Sequence, residues 1–285
     1  DCPFPFKHLA GVGIAFNFLI ALRGTLRKEG FWSDGKYPNL KDYLDIVALG
    51  TIGDIAPLIG ENRIFTKIGL ELITEGKRPG IRALKEVCGI DGQLIDSFKA
   101  SFCLIPRINA AGRIASALDA VLLLLAESME EARPLAARLD LYNRRRQAME
   151  RDILNDILEK LGAEPELENT SALVFSSEKW HPGVVGIVAS RLVDLYSRPA
   201  FVISLRDGVG KGSGRSVSDF NIHKGLQQCA SLLLSYGGHY RAAGISSRQL
   251  HRLREGPGGS DPYLTRSDGA MCWRLSLETN TASAR

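Results

Sequence analysis

Two histidines and one arginine, each set among small residues, carry the chemistry this sequence offers. Lys179-Trp-His-Pro-Gly-Val-Val-Gly-Ile-Val-Ala-Ser-Arg-Leu192 holds His181, Gly210-Lys-Gly-Ser-Gly-Arg-Ser216 holds Arg215, and Gly237-Gly-His-Tyr-Arg-Ala-Ala-Gly244 holds His239. Small residues let backbone N–H groups approach an anion closely, and Arg offers a planar fork that phosphate oxygens accept. Three such segments within about 65 residues point to a grip on a phosphorylated substrate.

Each segment has a plainer structural rival. Gly212-Ser-Gly-Arg-Ser216 predicts a concave run of N–H groups with Arg215 pointing inward and Ser216 beside it, although a lone GxGR is frequent in ordinary turns. Gly237 and Gly238 with Ala242-Ala-Gly244 are more distinctive. There His239 can donate to a phosphate oxygen or assist a leaving group, or simply bond a backbone carbonyl. His181 follows an apolar strand and precedes Pro182-Gly183 at a helix start, a place where α/β sheets collect ligands. Trp180 either stacks on a base or closes the core, and the core is favoured; Gly186, Ala189 and Ser190 favour close helix packing.

Two upstream segments add candidates. Asp54, in Gly50-Thr-Ile-Gly-Asp-Ile-Ala-Pro57, can reach a hard cation or serve as a turn aspartate. Arg107, Asn109 and Arg113 surround Ala110-Ala-Gly112 ahead of an apolar helix, an arrangement that brings guanidinium forks and a helix N-terminus to one phosphate. The alternative is a pair of surface arginines capping a loop. Arg144-Arg-Arg146 reads first as a solvated helix face, and His8, His223 and His251 have no supporting pattern.

These residues need elements to hold them. Apolar spacing predicts helices over 8–27, 39–49 (with Asn39 as N-cap), 62–75, 79–88, 92–103 and 114–126. A turn is expected at 50–57 and a loop at 105–112. Residues 128–161 contain no Gly, and Leu135, Leu139, Tyr142, Met149, Ile153, Ile157 and Leu161 keep one stripe, which predicts a long helix joining two domains. Beyond Gly162, strands at 172–175 and 200–204 alternate with helices at 184–196 and 221–235, the mark of an α/β domain. Residues 248–285, with Glu255-Gly-Pro-Gly-Gly-Ser-Asp-Pro262, read as a poorly ordered or atypical tail.

Composition sets the bounds. The 285 residues are 45% hydrophobic and 24% charged, which excludes global disorder. No apolar run approaches the roughly 20 residues of a membrane span, and the opening lacks a signal peptide's basic start and apolar core. Five scattered cysteines without a CxxC pair favour free thiols in a reducing cytoplasm. A net charge of +4 is compatible with a nucleic-acid partner without requiring one.

The five segments occur together in an order that resembles the DHH phosphoesterase superfamily, and within it the single-strand-specific 5′→3′ DNA exonucleases. The opening Cys2-Pro-Phe-Pro-Phe-Lys-His-Leu-Ala-Gly-Val-Gly-Ile-Ala-Phe16 carries the same likeness, which extends to about residue 246. It implies an α/β protein. Residues 1–126 would be the mostly helical C-terminal part of a DHH domain, 127–162 a connecting helix, and 163–247 a smaller DHHA1-type substrate domain. A groove would lie between the domains, with the His239 loop facing the metal centre across it. It also implies two divalent ions, Mn²⁺ or Mg²⁺, with Asp54 as metal ligand and catalytic residue and His239 as its catalytic partner. Phosphate binding would fall to Arg107, Asn109, Arg113, His181, Gly212, Arg215, Ser216, Gly237, Gly238 and His239. Gly53 stands where the family usually has Ala. The family's other metal ligands do not occur in this sequence, so this chain alone is expected to be inactive. Single-stranded DNA is the implied partner, with a single-strand-binding protein and a helicase, for a cytoplasmic monomer working in recombination and repair. Two alternatives stay open: a DHH hydrolase of short oligonucleotides or cyclic dinucleotides, and a nucleic-acid-binding module without catalysis.

Overall fold

The computed structural model describes residues 3–163, 170 and 172–247. The chain divides into two compact units, Asp1–Arg144 and Arg145–Arg285, whose boundary falls inside a helix. The expected tail, 248–285, lies outside the described residues.

The first unit is helical. α1 (Gly11–Lys28) ends where Gly30 takes φ +70°. Asn39 caps a 3₁₀ turn, Leu40–Tyr43, by accepting from Lys41 N–H, and that turn runs into α2 (Leu44–Gly53). α2 is buried along most of its length, so its apolar residues show no single stripe. α3 (Gly60–Glu75) crosses α2 closely at Gly69, where any side chain would strike the Leu44 carbonyl. α4 (Pro79–Cys88) starts on proline, which has no N–H to leave unpaired. α5 (Ser97–Lys99), a π-helical turn (Ala100–Leu104) and α6 (Ile105–Ile114) form one continuous helical path, followed by α7 (Leu118–Leu125). The expected loop at 105–112 is therefore helix. Pro106 suggested a helix boundary, but the widened turn before it absorbs the ring and the missing hydrogen bond. Ala48, Ile73, Leu84, Leu104, Leu123 and Leu139 belong to the core that these helices enclose.

α8 (Met129–Ala163) is the long helix anticipated from the stripe, started by Ser128, whose Oγ accepts from Glu131 N–H. The second unit then builds a five-stranded sheet from β1 (Leu173–Ser177), β2 (Ala200–Arg206), β3 (Val209–Arg215), β4 (Ser235–Gly238) and β5 (Ala242–Ser247), in the order β1-β2-β3-β5-β4. β1 and β2 are parallel, joined through α9 (Val185–Tyr196), and the other pairs are antiparallel. α10 (Ile222–Gln228) is shorter than the expected 221–235 because the chain leaves it to enter β4. Phe201, Phe220, Ile222, Leu226 and Ala243 form one core cluster of this unit.

Three of the five strands carry the glycine-rich segments expected to be loops. In β3 the residues alternate: Gly212 lies against Ile203 and Ile245, and Gly214 leaves room for the Phe201 ring and Ile222, while Ser213 and Arg215 point to the opposite face. Glycine here serves packing within a strand rather than turn geometry. Among the described residues no helix is long and apolar enough to cross a membrane. Among the described residues Cys88 and Cys103 are free thiols, as the scattered cysteines suggested.

Candidate nucleic-acid interface

In the second unit the strand register assembles a row of small residues. Val202 pairs with Ser213, Ser213 with Gly244, and Gly244 with Gly237, so these positions lie side by side on one face. A side chain added at Gly237 would meet nothing, and one at Gly244 would barely touch the Gly212 carbonyl. The floor there is bare backbone. The neighbouring row holds Arg215, paired with Ala242, and His239 N–H extends it by donating to the Ala242 carbonyl at 2.8 Å. Alternation puts Arg215 on the same face as the bare row, and the backbone bond sets His239 opposite Ala242, the strand partner of Arg215.

Arg215 is held in place before any ligand arrives. Its Nη1 donates to Ser213 Oγ and to the Gly214 carbonyl, both at 2.9 Å. Gly186, in the first turn of α9, leaves space for this side chain: a Cβ there would lie 2.9 Å from Ser213 Oγ and 3.3 Å from Arg215 Nη2. Sequence reasoning gave Gly186 a packing role, and the structure shows what it packs against. Gly238 has φ +152°, and a side chain on it would strike the Ala242 carbonyl, so the β4–β5 hairpin that presents His239 requires glycine at that position.

The remaining candidates are placed differently. Gly212 faces the apolar layer, and Ser216 is buried with its hydroxyl donating to the Phe220 carbonyl at 2.8 Å. β3 is paired along its length with both β2 and β5. Its N–H groups therefore belong to the ladder, which corrects the expectation of a concave anion-binding loop. His181 is half-buried, and its Nδ1 accepts from Gly183 N–H at 3.1 Å, which leaves the ring proton on Nε2. Desolvation lowers its pKa, and the nearby Arg206 cation adds to the effect. Arg206 lies at the far end of β2 from Ala200, the residue paired with Arg215. Trp180 is 2% exposed, with Nε1 donating to Asp156 Oδ2 at 2.9 Å and the Lys160 ammonium 4.9 Å from its ring centre, so it is a core residue.

In the first unit, Asp54 caps the C-terminus of α2 and is exposed. Ile55 N–H donates to the Ile52 carbonyl and Ala56 N–H to Thr51, the paired bonds of a Schellman turn. The left-handed position of that turn, usually glycine, is Ile55, with φ +55° and 89% exposure. A β-branched residue there is strained, and the strain sits directly beside Asp54. Asp54 and Asn109 both line a cavity of about 350 Å³ whose other walls include Val12, Leu49, Ile105 and Leu124. Arg113 is exposed near the end of α6. Arg107 is engaged internally: Nε donates to Asp140 Oδ1 at 2.8 Å and Nη1 to the Cys103 carbonyl at 2.6 Å. The helix N-terminus anticipated for this segment does not exist, because α6 continues the preceding turns. Among the described residues no group of three or more His, Cys, Asp or Glu could hold a metal ion, so Asp54 offers one carboxylate and no complete site.

A DHHA1 domain matches residues 169–256. Over 266 residues the chain is 42% identical to the single-stranded-DNA-specific exonuclease RecJ of Salmonella typhimurium, covering 90% of this chain and 46% of that protein. The RecJ of Bacillus subtilis is 40% identical over 247 residues, covering 86% of this chain and 30% of the relative. The crystal structure of Thermus thermophilus RecJ in complex with Mn²⁺ superposes with a TM-score of 0.77 at 34% identity, over 97% of this chain and 37% of that one. The chain is thus similar to RecJ proteins along most of its own length and carries a DHHA1 domain. It spans less than half the length of these relatives. Likeness to RecJ covers both the helical unit with Asp54 and the sheet with Arg215. Arg206, the charged neighbour of His181, was missed by sequence reasoning; nothing in its local pattern marks it.

Proposed function

We propose that this chain is part of an exonuclease that hydrolyses single-stranded DNA from the 5′ end, in recombination and repair. The observation that carries the reading is the ordered Arg215 guanidinium beside the bare row of Ser213, Gly244 and Gly237, in a chain similar to RecJ. Backbone without side chains lets a phosphodiester lie flat, and a fixed guanidinium meets its oxygens without paying again for ordering. His239, at the hairpin that follows β4, supplies a second donor. Contacts of this kind follow phosphates and are indifferent to base sequence.

Divalent ions, bound in the Thermus RecJ structures as Mn²⁺ or Mg²⁺, would supply Lewis-acid and water-activating chemistry. Asp54 is the residue here suited to a hard cation. A single carboxylate is too small a donor set, so the described residues bind and orient the strand and do not by themselves make a metal centre. Arg107, committed to Asp140, positions α6, while Asn109 and Arg113 remain the exposed polar groups of that helix. Family resemblance also supports a cytoplasmic monomer acting with a single-strand-binding protein and a helicase.

The test is binding and turnover by the 285-residue chain. A labelled oligonucleotide should bind as a single strand, more weakly as a duplex, and with strong salt dependence, while Mn²⁺ or Mg²⁺ elicits no nucleotide release. Equal affinity for duplex, or binding insensitive to salt, would refute the single-strand reading.

A further inference from the structure

A second cluster suited to nucleic acid lies in the first unit, in the segment that follows α1. α1 ends in a Schellman turn, with Phe31 N–H donating to the Leu26 carbonyl at 3.0 Å and Gly30 N–H to Arg27 at 3.3 Å. The chain emerges at Phe31, turns through Trp32–Gly35, and is fastened back where Arg23 Nη1 donates to the Pro38 carbonyl at 3.0 Å. Within this short loop stand three aromatic rings. Phe31 and Trp32 meet edge-on at 5.2 Å, and Trp32 and Tyr37 lie 6.4 Å apart. Phe31 is 67% exposed and Tyr37 40%.

Cations surround them. The Arg27 guanidinium lies 4.6 Å from the Tyr37 ring centre and that of Arg23 5.7 Å from it, with exposed Lys28 and Lys36 nearby in the chain. Among the described residues none of these four forms an ion pair. Arg78, Arg107, Arg133, Arg138, Arg144, Arg146 and Arg191 all do. Exposed rings cost solvation, and four cations against the two carboxylates Glu29 and Asp34 leave a cluster of net positive charge that repels itself. Both costs are relieved by a ligand that is anionic and presents flat unpaired faces.

We propose that the Phe31–Tyr37 loop is a second single-strand contact, a stacking platform on which unpaired bases lie while Arg23, Arg27, Lys28 and Lys36 meet the phosphates. A duplex hides its base faces, and an acidic protein offers charge without rings to stack, so single-stranded nucleic acid is the occupant that uses both features. The proposal rests on the single-strand reading above and extends it to a surface outside the sheet.

The test compares an oligothymidylate with an abasic strand of equal length and charge, each titrated into the full 285-residue chain. The intact chain should prefer the base-bearing strand by roughly tenfold, in line with one lost stack. Phe31→Ala with Tyr37→Ala should abolish that preference while circular dichroism stays unchanged; Phe31→Leu, which keeps the apolar bulk, should reduce it in part. Arg215→Ala should weaken both strands equally, which keeps the two readings separate. Equal binding of both strands by the intact chain overturns the platform, as does a preference that survives the double substitution. A polyglutamate of matched charge that binds as tightly as the oligonucleotide overturns it in favour of an acidic protein. Failure to bind any strand overturns both readings.

Discussion

Gly186→Ala separates the ordering of Arg215 from its charge. The new methyl would lie 2.9 Å from Ser213 Oγ and 3.3 Å from Arg215 Nη2, against the 3.4 Å at which ordinary contact begins. The Ser213 hydroxyl must rotate or retreat, and its hydrogen bond from Arg215 weakens. A hydrogen bond to a charged group contributes about 1.5–3 kcal/mol, and this one is half-exposed, so the lower part of that range applies. The expected loss of single-strand affinity is therefore about tenfold at most. Helix propensity works the other way, since Ala over Gly stabilises a helix interior by up to about 1 kcal/mol and less in the first turn. Melting temperature should hold or rise slightly while affinity falls. The decisive measurement is anisotropy on a labelled single strand across a salt series. Arg215→Ala removes a phosphate contact, so the slope of log affinity against log salt should fall by roughly 0.7. Gly186→Ala keeps the charge, so its slope should stay close to the parent's. If Gly186→Ala leaves affinity intact, or if Arg215→Ala leaves the slope intact, the assignment of Arg215 to phosphate fails.

Three further outcomes follow from the structure. Trp180→Ala should cost about 3–5 kcal/mol in denaturant unfolding, and Trp180→Phe distinctly less, because Phe keeps the ring volume but strands Asp156 without its indole donor. Ile55→Gly should stabilise the first unit by about 1 kcal/mol, since glycine adopts φ +55° without penalty; destabilisation would show that the Ile55 side chain contributes more than its strain removes. His181 has a lowered folded pKa, so its contribution to stability is complete above the ordinary value of 6.5 and is lost as pH falls through the folded value. Melts between pH 7.5 and 5 should show that decline, and His181→Gln should flatten it; an unchanged profile would rule out His181 as its source.

Most of the first unit was readable because helices such as α3 and α4 carry an apolar stripe and conventional stops. Asn39 and Gly30 mark boundaries by mechanisms visible in a single sequence. Residues 105–114 were not readable: Pro106 and Gly112 are breakers by propensity, and only the preceding π turn makes that stretch helical. The glycine segments misled for a related reason. Gly212 and Gly214 have the composition of a turn, but their meaning depends on Phe201, Ile203 and Ile245, which arrive from neighbouring strands. Candidate residues were found by type, yet their company was hidden. That Arg107 answers to Asp140, and that Gly186 makes room for Ser213 and Arg215, are facts of long-range packing. The aromatic loop after α1 escaped notice because its residues match no motif and gain meaning only when ring and guanidinium distances are known.

The burial of Trp180 gives the molecule an optical property. Its indole is sealed from water, hydrogen-bonded to a carboxylate and approached by an ammonium, so it should emit at short wavelength and resist iodide or acrylamide. Trp32, half-buried among rings in the other unit, should emit further to the red and be quenched readily. The third tryptophan, Trp273, lies outside the described residues. Each compact unit thus holds a distinguishable intrinsic fluorophore. During unfolding, a red shift confined to the shielded component would signal loss of the sheet unit alone, without any label being attached.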